Sequence, residues 1–357
     1  MRRGWRRALA FDSHGPLQPR RRRPRPGAPE DVGRARRGRH RMTSISSGIR
    51  DTATATAHAK AILVGEHSVV HGAPAIATPL DALTITATAS LAARGTTTLT
   101  TDDYTGALDD APVGLAPTVA AVRLAMAHVH AAPLDVDVRN EVPLSAGLGS
   151  SAATAAAIVR AIARCADVDL DDATLQSLVH QAEQVAHGRP SGLDARTVVA
   201  PGPIWFQAGA SRPLPVGAPV TIVVADSGSR GSTREMVAHV ASLRRTDPER
   251  LDAAIATLTQ VVHDFAAALA SGDVAALGAA MATAHGELRG LGVSTPQLDA
   301  LVAAAMAAGS AGAKLTGGGG GGCVLALAPT AQDAPAIADA LRAAGARATW
   351  TATVEPT

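Results

Sequence analysis

The residues best suited to chemistry stand at 143–153, where the chain reads PLSAGLGSSAA and runs directly into TAAAIV at 154–159. Gly147 and Gly149 permit backbone dihedrals that a Cβ forbids, and the first amides of a helix starting there point at the same spot. Such a loop is built for an anion, phosphate above all. Ser150 and Ser151 add hydroxyls for capping, for phosphate contact or for a metal ion. The lysines are as selectively placed: of 33 basic residues only Lys60 and Lys314 are lysine, and each heads a glycine-containing segment. A compact ammonium does there what a planar guanidinium cannot. Asp194 follows Ser191 and Gly192 in a tight turn, which either aims a carboxylate into a cleft or caps a following helix.

Two common phosphate loops are poor fits. A Walker-type loop needs Lys directly after its last glycine, and Gly149 is followed by two serines. The spacing Gly147-x-Gly149-x-x-Ala152 formally satisfies the dinucleotide-binding pattern, which keeps a dinucleotide-dependent oxidoreductase as an alternative. That pattern wants an apolar strand running into the first glycine and an acid about 20 residues on. Here 143–146 intervene, and Asp167, Asp169, Asp171 and Asp172 fall at a helix start.

The elements that position these residues read as mixed α and β. Residues 60–64 form a strand ending in the turn 65–67, residues 75–77 continue an extended region, and 135–142 alternate like a strand delivering the chain to the glycine loop. Helical spacing covers 119–131, about 152–165, and a segment opened by 171–174 and stopped by Gly188 and Pro190. A Gly- and Pro-rich stretch at 201–219 reads as a linker and domain boundary. Beyond it come a strand at 221–225 and helices from Thr233, at about 252–271, 274–291 and 296–308. Six glycines at 317–322, a strand at 323–327, a helix near 331–344 and a strand at 348–354 complete the chain. The glycine run is either a flexible linker or a second backbone nest beside the anion site.

With 357 residues and 46% hydrophobic content the chain can build two domains. Cys165 and Cys323 have no metal spacing, which excludes a disulfide scaffold or zinc module and fits a reducing cytoplasm. No uninterrupted apolar stretch reads as long enough to span a bilayer, so no membrane association is expected. Residues 1–41 hold 14 arginines against Asp12, Glu30 and Asp31, a net +11, whereas the rest of the chain is net −9. This Pro- and Gly-rich arm is expected to be disordered. It could bind nucleic acid or serve targeting, although its prolines oppose an amphipathic helix; the leading reading is an extension ahead of a start at Met42. No nucleic acid is expected for the folded body.

Three segments together resemble the ordered signatures of the GHMP small-molecule kinases: KAILVGEHSVVHGAPAIA at 60–77, the loop at 143–153, and KLTGGGGGGC at 314–323. Within that superfamily, GEHSVVHG at 65–72 and PSGLD at 190–194 resemble the mevalonate kinase family. The third signature departs at Gly318, where the family commonly has Ala, a change expected only to loosen the loop.

The resemblance implies an α+β, two-domain GHMP kinase fold, with an N-terminal domain at 50–215 and a ferredoxin-like C-terminal domain at 216–357. It implies ATP-dependent phosphorylation of the mevalonate 5-hydroxyl, with another GHMP kinase such as a phosphomevalonate kinase as the rival; that rival would place its extra positive charge on arginines such as Arg189 and Arg196. Phosphoryl transfer depends on positioning and on neutralising phosphate charge. ATP would be held by Pro143, Ser145, Ala146, Gly147, Leu148, Gly149, Ser150, Ser151, Ala152 and Ala153, with Mg²⁺ on Ser151 and Glu183. Asp194 would accept or orient the hydroxyl proton, with Lys60 beside it stabilising developing charge. Glu66, His67, Thr233, Gly318 and Gly319 would line the mevalonate side. The adenine pocket is expected between Leu80 and Val122. Cytoplasmic action on small molecules follows, with homodimerisation left open.

Overall fold

Alternating threonine and alanine open the first strand, β1 (Thr52–Val64), and put every second residue inward before the strand becomes wholly buried from Ala59 onward. The computed structural model describes residues 50–143, 146–187 and 191–357. The Arg-rich 1–41 segment, Ser145, Arg189 and Pro190 lie outside the described residues. β1 pairs antiparallel with β2 (Ala75–Leu91), a 17-residue strand that organises a seven-stranded sheet. Along its other edge β2 pairs with β5 (Leu134–Asn140) and, nearer its start, with β6 (Ile204–Gln207). β3 (Thr98–Thr101) runs parallel to β5 and forms a hairpin with β4 (Tyr104–Ala107); β7 (Ala210–Pro213) completes a hairpin with β6.

The stretch expected as a linker therefore carries β6 and β7. Of its glycines and prolines only Gly209 (φ 80°) belongs to the turn of that hairpin; Pro213 ends β7, and the rest flank the two strands. Helices α1 (Ala116–Val129), α2 (Ser150–Cys165) and α3 (Asp172–His187) back this sheet. α2 packs against β1, β2, α1 and α3. Its run of alanines follows from that central position, because small side chains let four neighbours approach closely.

The second sheet is antiparallel, in the order β11-β8-β10-β9: β8 (Val220–Asp226), β9 (Gly312–Thr316), β10 (Cys323–Leu327) and β11 (Ala348–Val354). In chain order that is the 4-1-3-2 arrangement of a ferredoxin-like sheet. The first crossover is elaborated into α5 (Thr233–Thr246), α6 (Pro248–Ser271), α7 (Val274–Gly290) and α8 (Pro296–Ala307), and the second is α9 (Ala334–Ala343). By length and composition α6 is apolar enough to cross a membrane, although charged residues such as Asp252 and Asp264 interrupt its apolar run. Its apolar residues Leu251, Leu258, Val262 and Phe265 are buried, while Asp252, Gln260, His263 and Asp264 face outward, so it is an amphipathic helix of this fold. Buried residues of both sheets belong to one continuous core.

Candidate active site

The glycine loop enters α2 as its sequence requires. Gly147 (φ 81°) and Gly149 (φ 67°) occupy the left-handed region, and Gly149 caps α2 without a side-chain hydrogen bond. The first amides of a helix have no intrahelical partner, so this terminus offers donors and a positive dipole end. Asn140, which the sequence reading missed, fixes the approach: its Nδ2 donates to Ser150 Oγ at 3.2 Å and its Oδ1 accepts from Val142 N at 2.8 Å. A polar amide at the end of an alternating strand was the available signal. Ala146, Leu148, Ala152 and Ala153 are buried beneath the loop, and Pro143 borders it. Ser151 Oγ is buried with no hydrogen-bond partner among the described residues.

Lys60 lies directly under this loop. Its backbone N donates to Leu148 O at 2.9 Å, and its Nζ donates to Gly147 O at 3.1 Å and lies 3.0 Å from Asp194 Oδ1. A Cβ on Gly149 would fall 2.7 Å from Lys60 Cγ, so the second glycine is there for the lysine as well as for its own φ. Asp194 sits in the first turn of α4 (Leu193–Thr197), whose N-cap is Gly192 at φ 88°. The capping position thus goes to the glycine, and the carboxylate is turned to Lys60. Lys60 is 3% exposed and Asp194 36%, so one partner is fixed in the interior and the other is partly open to solvent. Glu183, on α3, is 3% exposed on a helix packed against α2, whose first turn carries Ser151.

The third segment closes the site from the other sheet. Five of its six glycines have left-handed φ, and Gly317 approaches Gly147 so closely that a Cβ would lie 2.9 Å from Gly147 Cα. The run is a packed loop held to the glycine loop at Gly147, and the linker alternative is set aside. Gly319 faces Val293, where a Cβ would meet the Val293 carbonyl oxygen at 2.2 Å. Gly318 alone of the six lacks a left-handed φ, yet a Cβ there would lie 2.8 Å from Thr233 Oγ1. The expectation that glycine at 318 merely loosens the loop is corrected: it makes room for Thr233 at the start of α5. Gly318 O is 2.9 Å from His67 Nε2. Hence His67, Thr233 and Gly318 meet at one point.

Glu66 is placed differently from its neighbour. It is 1% exposed and ion-paired with Lys314, whose Nζ also donates to Leu315 O at 2.6 Å and Ile62 O at 3.4 Å. All three lysine protons are used inside the fold, so Lys314 braces the site from behind. Burial raises the Glu66 carboxyl above its ordinary range against the opposing pull of Lys314, and burial lowers the Lys314 ammonium against the pull of Glu66. Burial likewise lowers His67, with the Gly318 carbonyl opposing. Two clefts of about 490 and 400 Å³ flank Asn140 and Glu141 beside the loop. The smaller includes Thr100, Thr101 and Asp102, within the span expected for adenine, whereas Leu80 and Val122 themselves are core residues.

Models of the N-terminal and C-terminal domains of GHMP kinases match residues 117–202 and 265–347. The mevalonate kinase of Thermococcus gammatolerans is 36% identical over 307 residues, 80% of this chain and 91% of the relative. The chain belongs to the mevalonate kinase family of GHMP kinases. The mevalonate kinase of Pyrococcus horikoshii is likewise 36% identical, over 82% of this chain and 92% of its own. Among solved structures, L. major mevalonate kinase in complex with R-mevalonate superposes with a TM-score of 0.77 at 26% identity, over 87% of this chain and 98% of that one. This GHMP kinase is accordingly a phosphotransferase with ATP as co-substrate, and the α+β architecture is the family's.

Proposed function

We infer that this kinase transfers the γ-phosphoryl group of ATP to the 5-hydroxyl of mevalonate, giving 5-phosphomevalonate and ADP. The observation that carries the reading is the Lys60–Asp194 pair, 3.0 Å apart and tied through Gly147 to a phosphate-binding helix terminus. Asp194 accepts or orients the proton of the attacking hydroxyl, since it is the carboxylate that opens from this buried lysine toward the cleft. Lys60 donates to charge that develops between the attacking oxygen and the transferring phosphoryl. The loop from Pro143 to Ala153 holds the ATP phosphates, and the 400 Å³ cleft takes the nucleoside end. His67, Thr233, Gly318 and Gly319 form the acceptor side, with Glu66 supporting His67 from the interior.

Ser151 and Glu183 suit Mg²⁺. Ser151 Oγ is a buried hydroxyl without a partner among the described residues, and a hydroxyl with a carboxylate is the oxygen donor set that a hard cation takes when phosphate and water supply the rest. Bound there, the ion would neutralise phosphate charge. The two free, buried cysteines agree with a cytoplasmic setting. We divide the chain into catalytic lobes at 215/216, one per sheet. Coupled assays of ATP consumption with mevalonate, phosphomevalonate, homoserine and galactose test the reading. Turnover is expected with mevalonate; inactivity on it alone among the four would sink the assignment.

A further inference from the structure

We propose that His285 is a positioning residue for the reaction: locked in one tautomer by Asp299, its ring holds the outer edge of β9 and so sets the third signature against the acceptor turn. Among the described residues β9 is the last strand of its sheet, so one of its edges has no ladder partner there. On that edge Leu315 N donates to His285 Nδ1 at 3.4 Å. His285 Nε2 lies 3.2 Å from Asp299 Oδ1, which also accepts from Ser294 Oγ at 2.5 Å. An amide facing one ring nitrogen and a carboxylate facing the other place the proton on Nε2 and leave Nδ1 as acceptor.

What hangs on that edge is the site. Lys314, just before Leu315, reaches Ile62 O and Glu66; Thr316, just after it, exchanges hydrogen bonds with Ile62 at 3.0 and 3.1 Å. One residue further Gly317 abuts Gly147, and then Gly318 meets His67 and Thr233. A displacement of β9 by a few tenths of an ångström moves both the phosphate loop contact and the acceptor contact. The charged groups around the ring are Asp299 on α8, Lys314 on β9 with Glu66 behind it, and Arg289 on α7 itself. Burial holds the ring below the ordinary histidine range, with Asp299 opposing and Lys314 and Arg289 adding to it. A second proton on Nδ1 would set donor against donor at Leu315 and release the edge.

This inference rests on the phosphotransfer reading for its kinetic test, and hydrogen exchange supplies a test free of it. Asparagine can keep an acceptor near Nδ1, glutamine reaches toward Asp299 but not Leu315, and leucine keeps neither. At pH 8 the kcat/KM for mevalonate is expected to fall about 10- to 100-fold in His285→Leu and His285→Gln, through KM more than kcat, and to stay within about threefold of wild type in His285→Asn. The acid limb of the wild-type kcat/KM profile should shift in His285→Asn. Exchange of β9 amides, Leu315 first, should quicken in His285→Leu and His285→Gln alone. If His285→Leu does not fold, the Asn and Gln variants carry the comparison. Equal effects of Asn and Gln, or unchanged β9 exchange in Gln, would overturn the proposal. Wild-type inactivity on mevalonate would instead remove the functional reading and leave the exchange test standing.

Discussion

Replacing Lys60 by methionine isolates the charge at the centre of the site, because methionine fills the same slot without an ammonium. Lys60 Nζ is 3.0 Å from Asp194 Oδ1 and 3.1 Å from Gly147 O. At an effective dielectric of about 20, unit charges at that separation attract by about 5 kcal/mol. Asp194 is 36% exposed, so solvent screens much of this, and the net ground-state loss should be nearer the 1.5–3 kcal/mol of a hydrogen bond to a charged group. The kinetic loss should be at least as large. Removing one preorganised donor from developing charge typically costs about 10²–10³ in kcat, roughly 2.7–4 kcal/mol. Lys60→Arg should not restore it, since the 3%-exposed slot beneath Gly149 leaves no room for a planar fork. The assay is kcat for mevalonate-dependent ATP consumption at saturating substrates, with thermal melting to confirm the fold. A Lys60→Met kcat within about tenfold of wild type would refute the reasoning, because binding alone would then account for Lys60.

Three further perturbations probe neighbouring parts. Gly149→Ala forces a left-handed alanine, costing about 1–2 kcal/mol, and drives a Cβ to 2.7 Å from Lys60 Cγ; kcat should drop about 100-fold through the displaced lysine, and an activity loss no greater than the strain implies would count against the packing argument. Lys314→Met strands a buried Glu66 carboxylate and should destabilise the protein by about 3–5 kcal/mol in urea unfolding, whereas Glu66→Leu with Lys314→Met should recover much of it; a single variant as stable as wild type would contradict the buried pair. The folded-state pKa values of His67 and His285 are depressed by burial, so between those values and the unfolded value of about 6.5 the unfolded chain binds more protons. Their contribution to stability is therefore complete above about pH 6.5 and lost as pH falls below it; urea midpoints that rise from pH 7.5 to 5.5 would have the wrong sign.

What the sequence disclosed was whatever a short window contains. The loop-to-helix junction was legible because the glycine that needs a left-handed φ and the helix it caps are adjacent, and β10 and β11 fell where their strand-forming runs put them. The β6–β7 hairpin was illegible because its strands are only four residues long and β6, which carries β7, is held by pairing with β2, more than a hundred residues earlier. Gly318 shows the same limit at a single atom. Its own backbone would accept a side chain, and only the approach of Thr233, 85 residues away in sequence, forbids one.

The two lysines carry this furthest. Each precedes a glycine segment, and local sequence assigns both to the same kind of work. Their difference is set by the carboxylate that a third element brings. α4 delivers Asp194 with 36% exposure, leaving its carboxylate partly open to solvent, which is what the catalytic role proposed for Lys60 requires. The turn after β1 delivers Glu66 with 1% exposure, and its pair with Lys314 leaves no ammonium proton for a ligand. One ion pair thus stays partly open to solvent and the other fastens the second sheet to the first. The 3.0 Å spacing at Asp194 depends on the brace at Glu66, because Gly147, which accepts from Lys60, is itself pressed by Gly317 at the end of the strand that Lys314 anchors. Loosening the buried pair should therefore slow the reaction even where the fold survives, which a Glu66→Gln variant would reveal as a fall in kcat larger than its shift in melting temperature predicts.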